Sequence, residues 1–212
     1  GYKYSDKPDL ADHAKVARAA ATEGIILLKN ADNALPFGSS VKKIASFGNA
    51  SYDTFSGGTG SGDVNEAYTV SISQGLMNAG FDLDNTLKTQ YENYISEAKS
   101  KNQIPADPIA ALLAPKTGET EMGVEMLSAR LLADECDAAV ITIGRNAGEG
   151  NDRKNVEGDF KLTHTELSMI ARVSTAFHAV GKKVVVVLNI GGVVEVASWR
   201  DMTDAIVLAW QG

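Results

Sequence analysis

The residues best equipped for chemistry lie between Arg145 and Asp159, in the run RNAGEGNDRKNVEGD. Glu149 stands between Gly148 and Gly150, which leave the backbone free to bend and to bring a carboxylate close to a ligand. A carboxylic acid that donates a proton near neutral pH needs its pKa lifted, by burial or by a second carboxylate. Asp152, Glu157 and Asp159 are the neighbours that could lift it, while Arg145 and Arg153 could hold Glu149 ionised or orient it. The same charges also suit a solvated surface loop with no chemistry at all. A second Gly-rich loop, SGGTGSGD at Ser56–Asp63, invites comparison with a phosphate cradle. The details oppose it: a dinucleotide fingerprint needs glycine where Asp63 stands, no Gly-Lys-Ser/Thr follows, and Asp63 would repel a phosphate. A sugar-facing loop, a domain-facing loop and a plain connection remain the readings.

Other chemistries find little support. His13, His164 and His178 share no metal-ligand spacing with one another or with a cysteine, so no metal is expected, and no cofactor motif is present. There is no Gly-x-Ser-x-Gly elbow, and Ser198 has no obvious base. Trp199 and Trp210 read as core anchors or, alternatively, as sugar platforms.

The elements that must carry these loops follow from the pattern of apolar residues. Ala138–Ile143 is a continuous apolar run, as expected of a strand buried on both faces of a parallel sheet, and the Glu149 loop begins where it ends. Ligands meet open α/β sheets at the carboxyl ends of strands. Further strands are expected at Val41–Gly48, at Phe81–Leu83, at Lys183–Asn189 and at Ala205–Trp210. Between them helices are expected near Thr69–Ala79, Asn85–Lys101 and Glu121–Glu135, and from Thr163 to Val180, where Thr163 and Glu166 form a capping box. IGGVVEVASW reads as a loop and short helix. An N-terminal helix capped by Asp9 runs to about Ala21, with small residues that allow close packing. Alternating strands and helices predict a three-layer α/β/α sandwich with a mainly parallel, flavodoxin-like sheet and helices on both faces. Residues 1–9 read as a linker or tag remnant, and 10–212 as one sandwich domain, truncated at its C-terminus.

Bulk properties narrow the partners. A net charge of −7 argues against nucleic acid and anionic membrane, which want a basic surface. No apolar stretch approaches the length of a membrane span. The single cysteine, Cys136, forbids an internal disulfide and reads as a small buried hydrophobe. Such a domain suits bacterial cytoplasm or periplasm equally.

Four stretches in order, ATEGIILLKNADNALPF, GGTGSGD, IGRNAGEGNDRKNVEGDFKLTHTE and VVVVLNIGGVVEVASWRDMTDAIVLAWQG, resemble the second domain of glycoside hydrolase family 3, the β-glucosidases, β-xylosidases and relatives. The resemblance runs from about Asp12 to the C-terminus. It implies an α/β sandwich that completes a site begun by an N-terminal TIM-like barrel, the barrel carrying an Asp nucleophile. It also implies that Glu149, the Glu of the GEG-x-DR segment, is the general acid/base of a retaining hydrolysis, with Glu157 in reserve. Arg145, Asp152, Arg153, Ser61 and Asp63 become substrate-binding or loop-shaping residues, and the substrate a β-linked oligosaccharide or glycoside. No segment of the chain can supply the barrel, so the chain by itself is expected to be inactive. The competing expectation is a non-catalytic domain that binds sugar or only packs against a barrel; a flavodoxin-like small-molecule-binding domain is a third.

Overall fold

Alanine- and valine-rich runs form the centre of one six-stranded sheet in a computed structural model, which describes residues 6–58, 65–101, 119–148 and 152–211. In chain order the elements are α1 (Leu10–Gly24), β1 (Ile26–Asn30), β2 (Lys43–Phe47), α2 (Asn49–Tyr52), α3 (Ile72–Asn78), β3 (Asp82–Leu83) and α4 (Asn85–Lys101). They continue with α5 (Met126–Glu135), β4 (Ala138–Arg145), α6 (His164–Ala179), β5 (Lys183–Ile190) and β6 (Ala205–Leu208). The strands lie in the order β1-β6-β5-β4-β2-β3. All pairings are parallel except β1 with β6. Setting β1 aside, the five parallel strands run 2-1-3-4-5 in their own chain order, the flavodoxin-like arrangement. The strand order therefore reverses between β2 and β4.

Side-chain alternation divides the core into two faces. Ala139, Ile141 and Ile143 of β4, with Val184, Val186 and Leu188 of β5, point to the face covered by α4, α5 and α6. Leu87, Tyr91 and Ile95 of α4 fall at successive four-residue steps and are all buried. Met169, Ile170, Val173, Ala176 and Phe177 form the matching stripe on α6. Phe47 meets Phe177 edge to face at 6.4 Å. At roughly 1.5–3 kcal/mol for each large apolar side chain buried, this face holds most of the apolar stabilisation.

The opposite face is thinner than the sequence predicts. Among the described residues it is covered by Leu76 of α3 and by Leu35, Phe37 and Val41 of the segment after β1. Val187 and Val207 at its far side are only partly buried, and Ile26 and Leu27 of the edge strand are about half exposed. Other boundaries shift for physical reasons. α1 is capped by Asp9 as expected, yet none of its residues is buried, and among its small side chains only Ala14 is half-buried. α5 begins at Met126 rather than at Glu121, because Glu121 is committed elsewhere. No helix forms within IGGVVEVASW; a short 3-10 turn at Arg200–Met202 follows it. Trp199 is fully buried as an anchor, whereas Trp210 is 41% exposed and its indole N–H donates to the carbonyl of Gly24.

Candidate active site

A crevice of about 650 Å³ opens at the carboxyl ends of β2 and β4, where the strand order reverses. Asn49, Phe55, Glu121, Arg145, Ala147 and Arg153 are among its walls. Two glycines make the corner possible. Gly48, at φ +93°, could not carry a side chain: a Cβ there would lie 2.2 Å from the Thr142 carbonyl oxygen. A Cβ on Gly144 would meet Ala50 and Phe55 at 2.7 Å, so its absence lets α2 press against the end of β4.

Arg145 is the last residue of β4, not a loop residue, and it is buried. Its Nη1 and Nη2 grip the Glu166 carboxylate at 2.6 and 2.7 Å. Nε donates to Asp159 O at 3.1 Å, Nη1 also to Gly144 O at 2.7 Å, and Nη2 to Lys161 O at 3.4 Å. All five guanidinium N–H groups thus have protein acceptors. Glu166 completes the capping box of α6, accepting from Thr163 N at 2.7 Å. The bidentate pair locks the end of β4, where the Glu149 loop departs, to the helix that follows the loop.

Arg153 spans the same loop at its neck. Nη2 donates to Asn146 O at 2.7 Å and to Gly191 O at 2.6 Å, and Nη1 to Asp159 Oδ1 at 3.0 Å. Asp159 Oδ2 accepts from Lys154 N at 2.8 Å. That backbone bond, helped by Arg153 against a smaller cost of burial, holds the Asp159 carboxyl below the usual range. Asp159 therefore stays ionised and is spent on shape. Asp152 and Glu157 sit exposed on the crevice rim. Glu149, Ser61 and Asp63 lie outside the described residues. Among those described, Asn146 Oδ1 and Arg153 Nε, both in this loop, are buried without a hydrogen-bond partner.

Glu121 was hidden in a stretch that reads as helix. Its carboxylate accepts from Asn49 N, with Oε1 at 3.0 Å and Oε2 at 3.2 Å, and Oε1 also accepts from Met122 N at 3.1 Å. Burial nevertheless pushes its pKa up to about 8, with the charge of Glu166 adding to the rise. The carboxylate sits on the backbone N–H that opens the turn after β2, the place where a flavodoxin-like sheet meets an anionic ligand. A phosphate there would have to displace it. This disfavours the reading as a flavodoxin-like small-molecule-binding domain for any ligand held there by a phosphate. Nothing in the spacing of Glu121 announces the contact, because it joins residues 72 apart in sequence. Among the described residues no group of three or more His, Cys, Asp or Glu could hold a metal ion.

Comparison with known proteins agrees with the geometry. A profile of the glycosyl hydrolase family 3 C-terminal domain matches residues 25–212. The chain is 31% identical over 230 residues to beta-glucosidase A of Butyrivibrio fibrisolvens, covering 94% of this chain and 25% of that protein. It is 29% identical to a beta-glucosidase of Ruminococcus albus, covering 97% of this chain and 21% of that protein. A solved structure of beta-glucosidase 3B from Thermotoga neapolitana in complex with glucose superposes with a TM-score of 0.88 at 44% identity, covering all of this chain and 28% of that one. The chain thus spans about a quarter of the length of the relatives it matches. On profile, sequence and superposition together, it belongs to the glycosyl hydrolase family 3 C-terminal domain family.

Proposed function

We propose that this domain supplies the general acid/base of a retaining β-glycosidase, from Glu149, to a site shared with a barrel domain that carries the nucleophile. The observation that supports this most is the position of the loop: its described ends, Gly148 and Asp152, both line the crevice at the sheet's switch point. Arg153 ties Asn146, just before Gly148, to Asp159 on the returning chain, and the Arg145–Glu166 pair anchors the end of β4 from which the loop departs. In the reaction the barrel Asp attacks the anomeric carbon while Glu149 protonates the departing oxygen. Glu149 then takes a proton from water, which releases the sugar from the enzyme. Placing acid and nucleophile on separate domains lets each keep its own pKa. Since the named relatives are beta-glucosidases, and one is solved with glucose, a β-glucoside is the substrate of choice. Arg145 and Arg153 act as shapers of the loop, with Asp152, Ser61 and Asp63 as further substrate-binding or loop-shaping residues.

The test is Glu149→Ala in the full-length protein that carries this domain. Turnover of glycosides with poor leaving groups should fall about 10²–10⁴-fold, the usual worth of acid/base catalysis. Activated aryl glycosides, whose leaving groups need no proton, should lose far less, and azide should restore part of the rate. Uniform loss on all substrates without azide rescue would favour a domain that only packs against the barrel or binds sugar.

A further inference from the structure

The crevice opens at the ends of β2 and β4, and two carboxamides fasten the segments after those strands to the ends of β5 and β6. Asn189, buried near the end of β5, lies edge-on to the Phe55 peptide after β2. Its Oδ1 accepts from Phe55 N at 2.7 Å, and Nδ2 donates to Phe55 O at 3.0 Å and to Trp210 O at 2.8 Å. Gln211, just beyond β6, treats the loop after β4 in the same way. Its Oε1 accepts from Ala147 N at 2.9 Å, and Nε2 donates to Ala147 O at 3.3 Å. A carboxamide offers donor and acceptor in one plane, so each side chain imitates the pairing of a neighbouring strand.

The surroundings are pared down to admit Gln211. A Cβ on Gly191 would fall 2.4 Å from Gln211 Oε1 and 2.6 Å from Ala147 Cβ. A Cβ on Gly58 would approach Ala147 O at 3.0 Å and Gln211 Nε2 at 3.2 Å. Two glycines from two different loops thus converge on one side-chain amide and the backbone that it holds. The loop between them is fixed at its exit by Arg153 and at its entry by Gln211.

We propose that Gln211 is a positioning residue for the acid/base: by gripping both polar atoms of Ala147, it fixes the point from which the chain departs towards Glu149. The proposal rests on the reading of Glu149 given above. Gln211 touches no reacting atom. Its effect is geometric, and displacing a catalytic group by about 1 Å can cost on the order of 10²-fold in rate.

The experiment compares Gln211→Met, which keeps the length of the side chain and removes both hydrogen bonds, with Glu149→Ala in the same full-length protein. Gln211→Glu serves as a second variant; it keeps an acceptor for Ala147 N but sets an oxygen against Ala147 O. For Gln211→Met, kcat on a poor leaving group should fall about 10–100-fold, with KM and the thermal midpoint nearly unchanged. On an activated aryl glycoside kcat should fall less than about threefold, reproducing in weaker form the leaving-group selectivity of Glu149→Ala. Gln211→Glu should show the same selectivity. Equal loss on both substrates, or no loss on either, in a folded variant overturns the positioning role while the Glu149→Ala control keeps its selectivity. A control without leaving-group selectivity overturns the acid/base reading and the positioning role together.

Discussion

At the scale of single residues, the crevice separates carboxylates by environment. Asp159 and Glu166 are held by arginines and serve shape, whereas Glu121 is half-buried, feels the charge of Glu166 and, among the described residues, is held by backbone N–H groups. Because the folded pKa of Glu121 is about 8, above its ordinary value, the native state keeps a proton that the unfolded chain has released. Stability contributed by this site is therefore fully present below the ordinary carboxyl value of 4.5 and is lost as pH rises towards 8. Glu121→Gln, which fixes the neutral form, should raise the melting temperature at pH 8 by about 2–4 °C for each kcal/mol recovered and leave it nearly unchanged at pH 5. Equal shifts at the two pH values would contradict the assignment. The Arg145–Glu166 pair makes an opposite prediction. Arg145→Met strands the Glu166 carboxylate in the interior and should cost about 3–5 kcal/mol in chemical denaturation; a cost under about 1 kcal/mol, the level of a surface pair, would show that the pair is not buried in solution. Neither contact is legible in the sequence. Arg145 and Glu166 lie 21 residues apart, and their meeting depends on how β4 and α6 pack.

At the scale of elements, much of the architecture can be read directly from residue types. The boundaries of α4 at Asn85 and Lys101, the capping box of Thr163 with Glu166, and the apolar run that becomes β4 are local signals, and the structure keeps them. The misjudged elements are those whose state depends on distant partners. Glu121 leaves the predicted helix because its carboxylate closes the turn at Asn49. The helical propensity of α1 shows in its sequence, yet nothing in that sequence says that its small residues would stay out of the core. The loops follow the same rule. Gly48 and Gly144 are visible as glycines, but only the structure shows the Thr142 carbonyl and the Phe55 ring that require them. Likewise the carboxamide grip of Gln211 on Ala147 spans 64 residues and has no local signature.

At the scale of the whole molecule, the sheet presents its switch point as one open wall rather than as a closed pocket. The segments after β2 and β4 are fastened to the ends of β5 and β6 by hydrogen bonds from Asn189, Gln211 and Arg153, which oppose relative movement of these segments. Rigidity matters if the site is completed by a second domain, since the acid must arrive in register with a nucleophile carried elsewhere. The chain spans about a quarter of its relatives' length, which leaves ample room for such a domain in them. The most direct measurement is a crystal structure of the full-length protein with its nucleophile trapped as a glycosyl-enzyme. The account predicts the Glu149 carboxyl across the crevice, about 5–5.5 Å from the nucleophile carboxyl, the separation a retaining mechanism needs. A Glu149 side chain turned away from the carboxyl edge of the sheet, or locked in an ion pair far from the bound sugar, would contradict it.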